Sequence, residues 1–581
     1  MNNGAATRRG TFKRLLAYVG RYRYTFAAAL LLAVVTVATN LAVPVYIGRA
    51  VDAISGEGKV DFPLISTMLL YIAVLLGVGA VSQFLMGVLN NRMTCSVVRD
   101  IRDDAFRTIQ KLPMGVLDAQ SPGDMTSRVI IDVEQLADGL LLGFTQLFTG
   151  FVTIVGTLVL LFRVDVVIAL VVLLVTPLSL FISSFIARHV SRFFREQSLT
   201  RGEQTAITDE MISSMQEIHG FLMEDAVEEQ FEEINARWRK SSMLATFYSS
   251  LTNPSTRFVN SLVYASVALA GGILAIKRLL TVGDLTCVLS YANQYTKPFN
   301  EISGVVTELQ NAFVCASRVF SLIDERQESP DPQAALADVR GAVSIDDVSF
   351  SYVPDRRLIE HFTFSAPAGS SVAIVGPTGC GKTTLINLLM RFYDVDSGTI
   401  SVDGTDISSV SRRSLRSSYG MVLQDTWLKQ GTVYDNIVMG RPGVSREDVA
   451  RAAKLAHADE FIARLENGYD TVLSDESAAL SQGERQLLCI ARIMLSLPPM
   501  LILDEATSSI DTRTELLIQE SFGRLMEGRT SFVVAHRLST IKNADMIIVM
   551  RDGKVVETGN HEQLLASNGF YSVLYNSQFA H

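Results

Sequence analysis

An all-α membrane domain of six spans, followed by an α/β domain built on a phosphate-binding loop, is the fold class this sequence predicts. Three observations predict it. Long apolar runs fill the stretch before about Phe320 and give way after it to ordinary mixed composition. A β-rich pattern begins near Val343, and the strand-like run Val372–Val375 leads into Gly376-Pro-Thr-Gly-Cys-Gly-Lys-Thr-Thr384. The 581 residues are 48% hydrophobic and only 19% charged, which is too long for one compact domain and leans toward a membrane protein.

The N-terminus is basic, with Arg8, Arg9, Lys13, Arg14, Arg21 and Arg23 and no acidic residue before Tyr24. The apolar run after it continues to about Ile47 without a clear small-residue cleavage site, so it reads as an uncleaved interfacial helix entering a first span. A span needs about 20 mostly apolar residues to cross about 30 Å of hydrocarbon. Six segments meet that test: Tyr24–Ile47, Phe62–Leu89, Leu141–Phe162, Val164–Val190, Leu244–Ile276 and Leu279–Val314. Spans three and four meet at Arg163. Long polar, helix-like connections follow spans two and four, such as Val97–Lys111 and Glu203–Arg237, and both fall on one side. The basic N-terminus marks that side as cytoplasmic.

Polar side chains inside spans are costly and usually face protein or water. Span five carries Asn253, Arg257 and Asn260; span six carries Gln294, Lys297, Asn300 and Glu301. Pro298 is expected to kink or loosen span six. Lys297 and Glu301, four apart, can pair on one face. They read equally well as an interhelical lock or as the wall of a translocation cavity.

The composition changes at Asp324. A polar, proline-containing stretch gives a linker over 323–338, between a membrane domain over 1–322 and a motor over 339–581. In the loop, glycines let the backbone wrap phosphates, and the N-terminus of the following helix, Leu385–Phe392, meets their charge. Gly376, Pro377, Thr378, Gly379, Cys380, Gly381, Lys382, Thr383 and Thr384 therefore form a candidate nucleotide site, with Lys382 on the β- and γ-phosphates and Thr383 on Mg2+. Met500–Leu503 is a second apolar strand ending in Asp504 and Glu505: one acid suited to hold Mg2+, the other to orient and deprotonate water. The five cysteines are widely spaced and read as buried free thiols, with Cys380 inside the loop and shielded by bound ATP. A net charge of −9 gives no general case for nucleic acid.

Seven motifs in order carry a resemblance: Tyr352, Gly376–Thr384, Gln424, Leu480-Ser-Gln-Gly-Glu484, Asp504-Glu505, Ser508-Ser-Ile-Asp511 and His536. In them the chain resembles the ATP-binding cassette family, specifically its exporter-type half-transporters of the multidrug and lipid kind. The resemblance implies ATP and Mg2+ as cofactors. It gives Tyr352 to adenine, Gln424 to Mg2+ or the attacking water, Glu505 to general-base catalysis and His536 to the γ-phosphate. Ser481 and Gly483 are given to the γ-phosphate of the opposing chain, and Asp511 to communication between motors. It also implies coupling helices near Pro113–Gln120 and Leu222–Phe231.

The family pattern requires a second half-transporter chain. The signature departs from the family's Leu-Ser-Gly-Gly-Gln at Gln482 and Glu484, and Ser474–Ser477 departs from the segment usual before it. An extra acid near a polyphosphate repels it unless neutralised or turned away. In family heterodimers the chain with the catalytic glutamate often carries the altered signature, so a non-identical partner is expected. The reading is ATP-driven export of an amphiphilic or hydrophobic solute, small molecule or lipid, by a multi-pass protein of a bacterial inner or plasma membrane with its motor in the cytoplasm. The alternatives are an importer or lipid flippase on the same scaffold, or an ATP-gated channel or regulator.

Overall fold

The computed structural model describes residues 3–54, 60–353, 357–423, 426–473, 480–504, 510–534 and 541–579; the side chains at 3–9, 176–180, 182–192, 195, 252, 253, 256, 300–304, 306, 307, 578 and 579 are outside that description. The chain forms two compact units. One comprises Met1–Lys111 with Ser121–Glu325; the other comprises Leu112–Gln120 with Arg326–His581.

The first unit is helical: α1 (Asn3–Gly20), α2 (Arg23–Ile54), α3 (Phe62–Ile109), then, after a short helix of the second unit, α4 (Met114–Ala119), α5 (Pro122–Val129), α6 (Ile131–Leu142), a π-helical turn Gly143–Leu147, α7 (Phe148–Val164), α8 (Val166–Ser213), α9 (Met215–Phe221), α10 (Glu224–Ser250), α11 (Thr252–Ile276) and α12 (Val282–Ile323). Four stretches of the described residues are long and apolar enough to cross a membrane: Arg23–Ile54, Phe62–Ile109, Pro122–Val164 and Arg257–Ile276. The polar connections are continuations of the span helices, so α3, α8 and α12 are far longer than hydrocarbon requires. α1 is tied down: Leu15, Tyr18 and Val19 share a core with Val97, Ile101, Leu136, Val319 and Phe320. Around it, Tyr18 Oη donates to Asp104 at 2.7 Å, and Arg14 lies 2.5 Å from Asp324 and over the Phe320 ring.

Three expectations are corrected. The turn between spans three and four is at Asp165 rather than Arg163, because the Asp165 carboxylate accepts from the Val167 and Ile168 N–H groups and starts α8. α12 runs unbroken through Pro298, which is buried with Gly150 beside it. The short helix expected over Leu222–Phe231 is not a separate element: α9 ends at the left-handed Leu222, and Glu224–Phe231 belongs to the long α10, whose first turn carries Glu224 and Asp225. Acids there favour a helix N-terminus. Asn253, Asn300 and Glu301 fall outside the described side chains, whereas Lys297 is exposed and Gln294 donates to the Asn40 carbonyl at 3.4 Å.

The second unit contains β1 (Val343–Phe350), β2 (Ile359–Ala366), β3 (Ser371–Val375), α13 (Lys382–Leu389), β4 (Ser397–Val402), β5 (Thr405–Asp406), β6 (Tyr419–Val422), β7 (Gly431–Thr432), β8 (Val472–Leu473), β9 (Met500–Asp504), β10 (Thr530–Val534), β11 (Met546–Arg551) and β12 (Lys554–Gly559). The main sheet has the order β12-β11-β3-β10-β9-β6, with β11, β3, β10, β9 and β6 parallel and almost wholly buried strands in its middle. An antiparallel sheet, β2-β1-β4-β5, packs its inner face on α13 and on the main sheet through one core that includes Ile345, Phe362, Leu385, Ile502 and Phe532. The stretch after Arg326 is held by the motor: Arg412, 7% exposed, bonds Asp331 at 2.8 Å and the Ser329 carbonyl at 3.1 Å. Cys287 and Cys380 are buried as expected, but Cys95 is exposed.

Candidate functional site

Parallel strands put their carboxyl ends on one edge of a sheet, and this is where α/β proteins place ligands. β3 ends at Val375, and the chain turns through Gly379 (φ 82°) and Gly381 (φ 104°) before α13 starts at Lys382. Those left-handed angles are open to glycine at no steric cost. The first N–H groups of α13 have no partner within the helix, so the loop and helix N-terminus together present donors. A cleft of about 430 Å3 opens over them, lined by Thr378, Gly379, Gly381, Lys382, Thr383 and Asp504 among others. Lys382 Nζ donates to the Gly376 and Pro377 carbonyls at 2.8 and 3.0 Å, which holds the ammonium over the loop. Thr384 is buried and Thr383 exposed, and both line the cleft.

Asp504 pairs in register with Val534 across β9 and β10, and Leu503 pairs with Val422 across β9 and β6. Gln424, Glu505 and His536 follow these three strand ends by one or two residues, and all three lie outside the described residues, as does Ser474–Ser477. Thr383 and Asp504 supply oxygen donors to one cleft. Among the described residues no cluster of three or more His, Cys, Asp or Glu could hold a metal by itself. That donor set fits Mg2+, which keeps waters and binds through one or two protein oxygens plus phosphates.

Tyr352 is 45% exposed, edge-on to Phe350 and Tyr393 at 4.9 Å each, and its hydroxyl accepts from Asn387 of α13 at 3.1 Å. Tyr393 donates its own hydroxyl to Asp118 of α4, and burial with that carboxylate pushes its phenol well above the usual range. Neither Tyr393 nor Asp118 stood out in the sequence. Their signal was an aromatic, Tyr393, set just after the phosphate-loop helix in Arg391-Phe-Tyr-Asp394. Asn436 and Arg492 were also missed. Asn436 is buried and bonds both backbone groups of Lys429, while Arg492 spans Asn436 and the Trp427 carbonyl, bracing the chain that follows Gln424. A lone arginine in the apolar run Leu487–Leu495 was the available hint.

The signature residues open the helix Gln482–Ser496. Ser481 caps it, accepting from the Glu484 N–H at 3.3 Å, and Glu484 reaches back to the Ser481 N–H at 2.9 Å and hydroxyl at 3.1 Å. This is a reciprocal capping box. Arg464 lies 3.9 Å from the other Glu484 oxygen. Glu484 was expected to repel a polyphosphate unless neutralised or turned away; in the capping box its carboxylate is turned toward its own helix terminus. Gly483 is buried, and a Cβ there would stand 2.4 Å from Thr514 Cγ2. Asp511 caps the next helix by accepting from the Arg513 and Thr514 N–H groups, the bonds that hold its carboxyl below the usual range.

Family profiles agree with this arrangement. That of the ABC transporter transmembrane region matches residues 26–299, and one described as ABC transporter matches 359–508. A protein of Mycobacterium bovis named as a fatty acid ABC transporter ATP-binding/permease protein is 41% identical over 521 residues, spanning 90% of this chain and 82% of that one. This chain belongs to the ABC transporter family. An ATP-dependent lipid A-core flippase of Vibrio parahaemolyticus is 32% identical over 573 residues, 98% of each chain. Among solved structures, a bacterial Atm1-family ABC exporter with ATP bound superposes with a TM-score of 0.80 at 29% identity, covering 96% of this chain and 99% of its own. This ABC transporter is thus a multi-pass membrane protein that couples ATP hydrolysis to export, with the membrane domain preceding the motor.

Proposed function

We propose that this ABC transporter exports a lipid-like amphiphile, working as two half-transporter chains with ATP and Mg2+ in the cleft described above. The observation that carries the reading is the convergence of Lys382, Thr383 and Asp504 on one cleft, in a chain whose other unit is an array of membrane-length helices. Residues 376–384 and the α13 N-terminus receive the phosphates, and Lys382 moves from the loop carbonyls to the β- and γ-phosphates. Thr383, Asp504 and Gln424 hold Mg2+, which when bound neutralises charge on the transferring phosphoryl group. Glu505 accepts the proton of the attacking water, His536 holds the γ-phosphate, and Tyr352 supports adenine. Ser481, Gly483 and Asp511 belong to the face offered to the opposing motor.

The lipid-like class is supported by relatives named for fatty acid and lipid A-core. The partner was expected to be a non-identical chain because of the signature. With Glu484 held in its capping box, Gln482 is the departure that still supports that expectation. The chain expressed alone, assembling as a dimer with full cargo-stimulated hydrolysis, would decide for identical partners. We place the membrane domain over 1–322, the linker over 323–338 and the motor over 339–581 on the cytoplasmic face of a bacterial inner membrane. Sealed inside-out vesicles carrying parent or Glu505→Gln protein test the function. ATP-dependent accumulation of a fluorescent fatty acid or phospholipid is expected in the parent alone, and equal accumulation in both overturns the reading.

A further inference from the structure

A second hollow is an open groove on the membrane unit, with Val159 and Arg49 exposed at it, toward the end of α2 remote from α1. Its volume is about 550 Å3, within the usual range for a small-ligand pocket. The walls are apolar, from Leu41 and Val45 of α2, Leu160 of α7 and the ring of Tyr291 of α12. Lining residues on α2 run from Ala38 to Arg49, so the trough is about 16 Å long at the helical rise of about 1.5 Å per residue. Tyr291 offers the trough no free hydroxyl, because its Oη donates to the Leu41 carbonyl at 2.8 Å.

Arg49 puts a charge at one end of this trough. Arg49 is exposed, its guanidinium lies 5.8 Å from the centre of the Tyr46 ring, and among the described residues it has no acidic partner. The nearest acid in sequence is committed elsewhere: Asp52 accepts from the Gly283 N–H at 2.7 Å and from the Thr281 hydroxyl at 2.8 Å. Arg49 follows the apolar run that ends at Ile47 and is exposed, so its guanidinium stands at the mouth of an apolar trough, where an anionic head group can meet it. The planar guanidinium is matched to a carboxylate, which can accept two of its N–H groups together.

We infer that this trough binds a single-chain, monoanionic amphiphile, its carboxylate at Arg49 and its alkyl chain along Val45, Leu41 and Leu160 toward Ala38. One guanidinium answers one negative charge, and one trough takes one chain; a polyanionic glycolipid would bring charges that no other described lining residue meets. The inference names the cargo class of the export reading above and rests on it.

The test uses the full-length protein in lipid nanodiscs, with laurate as probe and dodecanol as its uncharged counterpart of equal chain length. Laurate is expected to stimulate ATP hydrolysis by the parent. Arg49→Gln should raise the half-maximal laurate concentration about ten-fold or more, as expected for one lost charge-assisted contact. Arg49→Lys should recover part of that loss, and the dodecanol curve should not move in either variant. Ala42→Phe, which fills the trough, should weaken both probes. The assignment is overturned if laurate is unaffected by Arg49→Gln, or if laurate and dodecanol curves shift together in it. A parent that accumulates some other amphiphile in vesicles while ignoring laurate overturns this inference and spares the export reading; a parent inert to every amphiphile overturns both.

Discussion

In the motor, residues far apart in sequence, Lys382 and Asp504, line a single cleft, and each was marked beforehand by its type and neighbours. In the membrane unit, α3, α8 and α12 run well past any hydrocarbon, and nothing in their apolarity marks where they stop. The contrast reflects what each environment demands. A polyphosphate needs particular atoms at particular places, so only a few residue types serve. Hydrocarbon requires satisfied backbone groups and low polarity, which many sequences provide.

The largest effect that would sharpen this contrast is at Glu505. Glu505→Gln should lower steady-state phosphate release roughly 10²–10⁴-fold, the usual contribution of a general base, while filter binding still shows ATP retained. Near-parental hydrolysis would mean that residue type in the motor is less binding than its motifs suggest. Next is Lys382→Ala, where losing an ammonium from the phosphates should weaken ATP binding about 10- to 100-fold by equilibrium titration.

A smaller effect is expected where neither motif nor hydropathy gave warning. Tyr393→Phe keeps the ring against Tyr352 but removes the bond to Asp118. Loss of one hydrogen bond to a carboxylate should cut the stimulation of hydrolysis by cargo roughly ten-fold. ATP affinity should be kept; a loss of affinity with intact stimulation would show that the tyrosine serves nucleotide binding instead.

Cys380 separates burial from ligand shielding. The thiol is buried, and desolvation pushes its pKa up despite Lys382 nearby. A raised thiol pKa means less thiolate at neutral pH, so maleimide labelling should be slow with or without ATP and rise only above the ordinary thiol range. Measured in a variant lacking the exposed Cys95, fast labelling at pH 7 that ATP suppresses would show a thiol shielded by nucleotide rather than by burial alone. The smallest effect belongs to Glu484→Gln. Glutamine can also close a capping box, so melting temperature and hydrolysis should hardly change. A several-fold gain in hydrolysis would show the acid acting on nucleotide after all.

Much of the fold was therefore legible, but unevenly. A helical membrane domain followed from polarity, and four stretches of the described residues are long and apolar enough to cross a membrane, yet the helix ends did not follow, because they are set by local events: the Asp165 cap, the left-handed Leu222, and Leu251 between α10 and α11. In the site, residues that touch ligand in this family announce themselves, whereas those that hold the touching residues do not. Asn436, Arg492 and Tyr393 have ordinary neighbours in sequence and acquire their roles when distant segments meet. The signature shows the opposite failure. Read as composition, Glu484 was a charge; read as geometry, it is part of a helix terminus.

The position of α4 has a consequence for how the protein is made. Leu112–Gln120 packs as part of the motor, although it is translated about 200 residues before Arg326 opens the rest of that unit. At roughly 5–20 residues per second, the surface against which it folds is absent for about 10 s or longer. Six residues cannot hold a helix alone in water. The nascent chain must therefore carry α4 unfolded while later spans are made, and the finished motor closes by taking back a segment that left the ribosome long before it.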